Sequence, residues 1–283
     1  RSGRAYSRVS VRPTDSMKLA MIGAGRMGGT IVQMLKKDSG SGWKLEVCEP
    51  NQKGRDDLAR EMGSGVKFVE KVEELGETEV VLLAVKPAML EKVVGWLRGR
   101  KDSYLLISIL AGVTTERLAK EAGGKARVIR AMPNQALRVR EGVTALCAGA
   151  VSKKEDLEIA RKIFGLGGTV LEIGEEQMDV VTALSGSGPA FMAKWVEELE
   201  KAAARAGLDS KVSGELAART MLGTGALLVR EGMKPSELCA AVASPGGTTE
   251  AGLKVMQAGG IEALAEKAMS AAVNRAKELA KGG

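Results

Sequence analysis

A chain of 283 residues with no histidine and only 3% aromatic residues is long enough for one large or two medium domains, and it excludes metal or acid–base chemistry that depends on imidazole. Of the formal charge of +7, Arg1, Arg4, Arg8 and Arg12 against Asp15 place +3 in residues 1–16 and leave +4 for the rest; both signs alternate there along nearly every helix, unlike the clustered basic and aromatic pattern of a nucleic-acid binder. The three cysteines, Cys48, Cys147 and Cys239, fall in no metal-ligand spacing and predict small core residues of a reducing, cytoplasmic setting, and apolar runs such as Val80–Val85 and Tyr104–Ala111 are far below the roughly 20 residues of a membrane span.

In chain order, residues 1–16 are rich in Arg and Ser, poor in acids and without a clear apolar face. They are expected to be a disordered tail, or an extension of cloning or transit origin, ahead of Met17. The stretch MKLAMIGAGRMGGT at 17–30 then compresses an apolar strand, a glycine turn and a helix start into fourteen positions. Gly23, Gly25 and Gly28 fall on the Gly-x-Gly-x-x-Gly spacing: the first for a tight turn, the second for close approach to a pyrophosphate, the third for packing of helix on strand. The following helix, Met27–Lys37, turns its free N–H groups toward the turn, so a dinucleotide is the natural guest. The next strand, Lys44–Cys48, ends on Glu49, 21 residues past Gly28, where an acidic side chain reads the ribose 2′-OH of NAD.

The first half continues as alternating strands and helices, the pattern of an α/β, doubly wound, mostly parallel sheet. Helix Gly54–Met62, strand Val66–Phe68 and strand Glu77–Val85 follow, and Lys86-Pro87 ends that strand and opens a helix through Arg98. Strand Tyr104–Ser108, helix Thr114–Glu121 and strand Ala126–Met132 come next, the last ending on Pro133-Asn134. Strand ends at Ala84–Pro87, Leu110–Gly112 and Met132–Asn134 should rim a cofactor on one sheet edge. Strands Gly142–Cys147 and Thr169–Glu172, with helix Lys153–Phe164 between them, extend the sheet.

From about Glu175 the periodicity is helical. Ser187 is expected to cap a helix with Pro189 in its first turn, Gly207 at its end and an apolar stripe of Met192, Trp195, Val196, Leu199, Ala203 and Ala206. Asp209 caps a second helix running to Gly232, Pro235–Ala241 forms a third, and further helices run through Met256 and from Ile261 to Ala280. So many small residues and so few large ones predict that this half packs on a copy of itself, as a homodimer. Between these helices, SPGGTTEAG at 244–252 makes a nest of N–H groups and hydroxyls suited to a carboxylate. Ser108, Ser185 and Ser187 read as capping or packing groups, and Lys86 as either a solvated strand end or a cofactor contact.

Taken together, GAGRMG at 23–28, AVKP at 84–87, AGV at 111–113, RAMPN at 130–134, ALSGSGPA at 183–190 and SPGGTT at 244–249 resemble, in order, the motifs of the pyrroline-5-carboxylate reductase family over residues 17–281. The resemblance implies a Rossmann dinucleotide-binding domain, residues 17–175, and an all-helical substrate-binding and dimerisation domain, residues 176–283, interlocking two subunits as a homodimer, often within larger rings of dimers. It implies reduction of 1-pyrroline-5-carboxylate to L-proline by NADPH or NADH, the last step of proline biosynthesis, with no metal, nucleic acid or membrane as partner. Gly23, Gly25, Arg26, Met27, Ala84, Lys86, Pro87, Ala111, Met132, Pro133 and Asn134 match the family's cofactor positions. Ser244, Gly246, Gly247, Thr248 and Thr249 match its substrate loop, with the Thr249 hydroxyl at the ring nitrogen in the catalytic role. Hydride transfer to a protonated imine needs no metal and no strong base, so the absence of histidine is no obstacle.

Two departures stand out: residues 1–16, and Glu49, where many members have a short polar or basic loop. Glu49 leans toward NADH, while Lys53 and Arg55 nearby leave NADPH open. An alternative is a related two-domain dehydrogenase of hydroxy acids, which would use Lys194 or Lys201 of the long inter-domain helix and leave SPGGTT unexplained. Another is a non-catalytic dinucleotide sensor, against which the hydroxyls of Ser244 and Thr249 argue.

Overall fold

The computed structural model describes residues 17–38 and 42–280; the expectations for residues 1–16 lie outside them. The chain forms two compact units, one running to Val181 and taking in the chain from Ala276 onward, the other spanning Thr182–Arg275.

The first unit carries β1 (Lys18–Ile22), α1 (Arg26–Lys37), β2 (Lys44–Cys48), α2 (Gln52–Met62), β3 (Val66–Val69), β4 (Val80–Leu83), α3 (Leu90–Gly99), β5 (Tyr104–Ser108), α4 (Thr115–Glu121), β6 (Ala126–Pro133), β7 (Gly142–Ala148), α5 (Lys154–Gly165), β8 (Gly168–Glu172) and α6 (Met178–Val181). Its strands form one sheet of order β3-β2-β1-β4-β5-β6-β7-β8, parallel except for the antiparallel β6–β7 pair. Both faces are covered, so the strands are nearly unbroken apolar runs. Leu19, Met21, Leu82 and Ile107 meet α1, α2 and α5 on one face, while Ala20, Ile22, Leu83 and Leu106 meet α3 and α4 on the other.

Local chemistry sets several ends. Asn51 caps α2 through Gly54 N–H at 2.8 Å, and Thr114 caps α4 through Arg117 N–H at 3.2 Å. The strand expected over Glu77–Val85 is only Val80–Leu83, with single ladder bonds just beyond each end, from Leu105 N–H to Glu79 O at 2.9 Å and from Ala84 N–H to Ile22 O at 2.8 Å. Pro87 starts a single 3-10 turn, Pro87–Met89, before α3 begins at Leu90.

The second unit is helical: α7 (Gly188–Arg205), α8 (Ser210–Arg230), α9 (Pro235–Val242), α10 (Thr248–Ala258) and most of α11 (Ile261–Ala280). Asp209 caps α8, accepting from Lys211 and Val212 N–H at 3.0 and 3.1 Å. Ser187 does not cap α7. The chain enters that helix already wound, from a π-turn over Thr182–Gly186, and Ser187 donates its own N–H to Thr182 O at 3.0 Å. The predicted stripe of α7 is uncovered within the chain, with Met192 54% and Leu199 48% exposed. Cys48 and Cys147 are core residues as expected, but Cys239 is exposed, because none of α9 is buried in the single chain.

Candidate functional site

The glycine turn is set by close backbone packing. Gly23 has φ +90°, and a Cβ there would lie 2.9 Å from Ala84 O; one on Gly28 would lie 2.2 Å from Gly23 O. Both positions therefore exclude a side chain. Gly25 is different: nothing stands within 4 Å of the Cβ it lacks, so its backbone faces open space, as approach to a pyrophosphate requires. Gly25 also offers α1 no side-chain cap, and the first N–H groups of α1 are left for a ligand. Arg26 is exposed beside them, and Met27 packs against the core.

Glu49, directly after β2, points at this turn. Its Oε2 accepts from Ala24 N–H at 2.8 Å and its Oε1 from Asn51 N–H at 2.9 Å. Arg55 donates to Glu49 O at 2.7 Å and pairs with Glu70 at 3.6 Å, whereas Lys53 is exposed. A cavity of about 330 Å³ lies against the turn, bounded by Gly25, Arg26 and Thr30 on α1, Gly54 on α2, and Arg138.

The other predicted cofactor positions follow the carboxyl ends of β4, β5 and β6, on the same sheet edge because these strands run parallel. Ala84 adjoins Gly23 and Gly28. Lys86 is exposed ahead of the turn that Pro87 opens, and Ala111 sits between the Ser108 hydroxyl, which accepts from Leu110 N–H at 3.3 Å, and Gly112 at φ +75°. Ser108 thus organises the turn. Met132 packs with Cys147 and Met178, and Pro133 pairs with Thr144 of β7. Asn134 Oδ1 accepts from Ala136 and Val143 N–H at 3.2 and 3.3 Å, which ties the end of β6 to the start of β7.

One cluster had not been anticipated. Arg130, 3% exposed in the middle of β6, donates to Glu175 Oε1 at 2.5 Å. Glu175 Oε2 accepts from Thr115 N–H at 3.1 Å and lies 3.7 Å from Cys147 Sγ. Burial alone would raise the Glu175 carboxyl, but the hydrogen bonds from Thr115 and Arg130, with the Arg130 charge, hold it below its ordinary value. Burial and the Glu175 charge push the Cys147 thiol up to about 11. The signal was an arginine in an otherwise apolar strand, VIRAMP, which demands a buried acid.

In the second unit Ser244, Gly246, Gly247, Thr248 and Thr249 come together in one turn. Gly247 N–H closes on Ser244 O at 3.0 Å, Gly246 has φ +72°, and α10 begins at Thr248 without a side-chain cap. The Gly246 N–H is held by Glu250 Oε2 at 2.6 Å, and Glu250 pairs with Lys254 at 2.6 Å. The first-turn donors of α10 and the hydroxyls of Thr248 and Thr249 are the groups this turn can offer a carboxylate. Ser185, in the π-turn, keeps a buried hydroxyl without a partner among the described residues. No group of three or more acidic or cysteine side chains among the described residues could hold a metal ion, and no helix among them is long and apolar enough to cross a membrane.

A family model described as pyrroline-5-carboxylate reductase dimerisation matches residues 175–279, and one described as NADP oxidoreductase, coenzyme F420-dependent, matches residues 18–112. The pyrroline-5-carboxylate reductase of Synechocystis sp. is 37% identical, covering 94% of this chain and 99% of its own length. The chain belongs to the pyrroline-5-carboxylate reductase family. The enzyme of that name from Arabidopsis thaliana is 34% identical over 94% of this chain and 97% of its own. Among solved structures, the pyrroline-5-carboxylate reductase of Coxiella burnetii superposes with a TM-score of 0.82 at 33% identity, covering 94% of this chain and 99% of that one. The Plasmodium falciparum pyrroline carboxylate reductase, solved with NADP bound, superposes at 0.81 with 26% identity, covering 95% and 100%.

The dehydrogenase alternative needs a lysine that exchanges protons. Lys194 and Lys201 are both tied to Glu197 and Glu198 on an exposed face. Hydrogen bonds to these glutamates raise both lysines above their ordinary value, the opposite of what a general base requires.

Proposed function

We propose that the chain is a pyrroline-5-carboxylate reductase, transferring a hydride from NAD(P)H to the C=N carbon of 1-pyrroline-5-carboxylate and giving L-proline, the last step of proline biosynthesis. The observation that carries this reading is the Ser244–Thr249 turn, which the family positions make a carboxylate holder and which a plain inter-helix loop does not require. Gly25 and the start of α1 hold the pyrophosphate, and Ala84, Lys86, Ala111 and the segment Met132–Asn134 rim the rest of the dinucleotide. The reduced nicotinamide, when bound, supplies the hydride. The first-turn N–H groups of α10 hold the substrate carboxylate, and the Thr249 hydroxyl hydrogen-bonds the ring nitrogen, which keeps the proton that becomes the amine N–H.

NADH is the preferred cofactor in this reading, because the Glu49 carboxylate beside the turn would face the 2′-phosphate of NADPH. Lys53 and Arg55 make this a preference and not an exclusion. The uncovered apolar side chains of the second unit, Leu222 at 65% and Val255 at 72% exposure among them, are far more than a monomer leaves in water, and a second copy covers them. The homodimer is the unit from which a larger ring would be built, and light scattering separates monomer, dimer and ring.

The deciding assay follows nicotinamide absorbance with pyrroline-5-carboxylate and with a panel of hydroxy acids. Reduced cofactor should be consumed only with the imine. Turnover of a hydroxy acid without imine activity would overturn the assignment.

A further inference from the structure

The turn between β5 and α4, which carries Ala111, is tied at both ends. At its entry Ile109 N–H donates to Leu83 O at 3.0 Å and the Ser108 hydroxyl accepts from Leu110 N–H, so both anchors come from the strand ends themselves. At its exit Thr115, the first residue of α4, donates its N–H to Glu175 Oε2 at 3.1 Å, across 60 residues of chain. Arg130 holds the other oxygen of that carboxylate and stands opposite Ser108 in the register of β5 and β6. Arg130 also has Asp179 at 3.9 Å. All of these residues belong to the first unit.

A buried ion pair adds little stability over an apolar pair of like volume. What a carboxylate supplies here, and an apolar side chain cannot, is an acceptor for the first N–H of a helix, a place where negative charge is itself favourable. The strand order of the sheet reverses between β1 and β4, and a dinucleotide lies across such a point with one half on either side. In the function proposed above, on which this inference rests, Glu49 takes the adenosine half on the β2 side. The nicotinamide half then lies over the carboxyl ends of β4, β5 and β6, where the Ala111 turn stands.

We propose that Glu175 is a positioning residue for the nicotinamide half of the cofactor: it holds the Ala111 turn through Thr115 N–H, and Arg130 fixes its carboxylate. It acts through the backbone of the turn and not by contact with the cofactor. The adenosine half, bound on the far side of β1, is outside its reach.

The test compares NADH with ADP-ribose, which lacks the nicotinamide, by isothermal titration of the full chain. Thr115→Pro cuts the tie and leaves both charges in place. Thr114 already has φ −73° and ψ 158°, the extended backbone that a following proline requires, and proline is favoured at the first position of a helix, so the variant should fold. Its NADH affinity should fall about tenfold while ADP-ribose stays within about twofold. General loosening of the unit would weaken both ligands alike. The double variant Arg130→Met, Glu175→Leu removes the acceptor from the other side without leaving a buried guanidinium unpaired, and should give the same split. Unchanged NADH affinity in either folded variant, or equal losses for NADH and ADP-ribose, would overturn the proposal. Both ligands are read by binding and not by turnover, so failure of the imine assay and failure of this split are separate results.

Discussion

Glu49 accepts the N–H of Ala24, inside the glycine turn, at 2.8 Å. The residue that follows β2 is thus bonded to the loop that follows β1, and in the proposed function its carboxylate faces the dinucleotide's ribose. Replacing it by Ser removes a negative charge next to the 2′ position. The like-charge repulsion in a partly exposed site is on the order of a kcal/mol. Glu49→Ser should therefore move the ratio of kcat/KM for NADPH over NADH upward by about fivefold or more, and should raise KM for both cofactors because the turn loses its anchor. An unaltered ratio would remove Glu49 from cofactor choice.

Thr249 lies in the first turn of α10, with its hydroxyl assigned to the ring nitrogen. A hydrogen bond to a charged partner contributes about 1.5–3 kcal/mol, so Thr249→Ala should lower kcat/KM by about ten- to a hundredfold. Cofactor affinity, read by fluorescence titration with NADH, should not change, because Thr249 does not belong to the dinucleotide-binding unit. A full rate in the variant would show that the hydroxyl takes no part.

Arg130 and Glu175 join β6 to the segment that leads out of the first unit. Glu175→Gln removes the nearer of the two carboxylates beside a guanidinium that is 3% exposed, leaving Asp179 at 3.9 Å as its anion. The expected loss is about 1–3 kcal/mol in urea unfolding, less than for a fully buried pair because Glu175 remains in partial contact with water. The pH dependence has a definite sign. The folded value of Glu175 lies below the ordinary 4.5, so its contribution is complete above that value and is lost as pH falls through the depressed folded value. Glu175→Gln should flatten that part of the acid limb, and an identical limb in both proteins would refute the role.

Cys48 and Cys147 are both pushed up to about 11, chiefly by burial, so their thiolate fraction near neutrality is small. Native protein treated with a thiol-specific chromogenic reagent at pH 8 should react at no more than one of its three cysteines, Cys239, and at all three once unfolded. Rapid native reaction of two thiols would contradict the buried placement.

Much of this architecture is legible from residue spacing alone, because the controlling interactions are local. The strand before Gly23, the helix after it, the cap at Asp209 and the Ser244–Thr249 turn depend on backbone geometry and hydrogen bonds spanning a few residues. Glycine spacing also implied which positions had to lack a side chain, and the structure adds the contacts that make it so at Gly23 and Gly28. Ser187 marks the boundary of this reasoning: a good capping residue was overruled by the π-turn that delivers the chain to α7.

Other features exist only once distant segments meet. Arg130 finds Glu175 across 45 residues, Glu49 finds Ala24 across 25, and Arg100 finds Thr78 across 22. Neither partner's neighbours in the chain specify the other. The order of the strands and the antiparallel seating of β7 are tertiary in the same sense, since an apolar run states that a strand is buried but not which strand lies beside it. The sequence by itself determined the glycine turn, the sheet-then-helix order and the family. The tertiary structure decided which charges are paired, which thiols are covered, and which carboxylate holds the start of α4, because burial and long-range electrostatics arise only between segments brought together by folding.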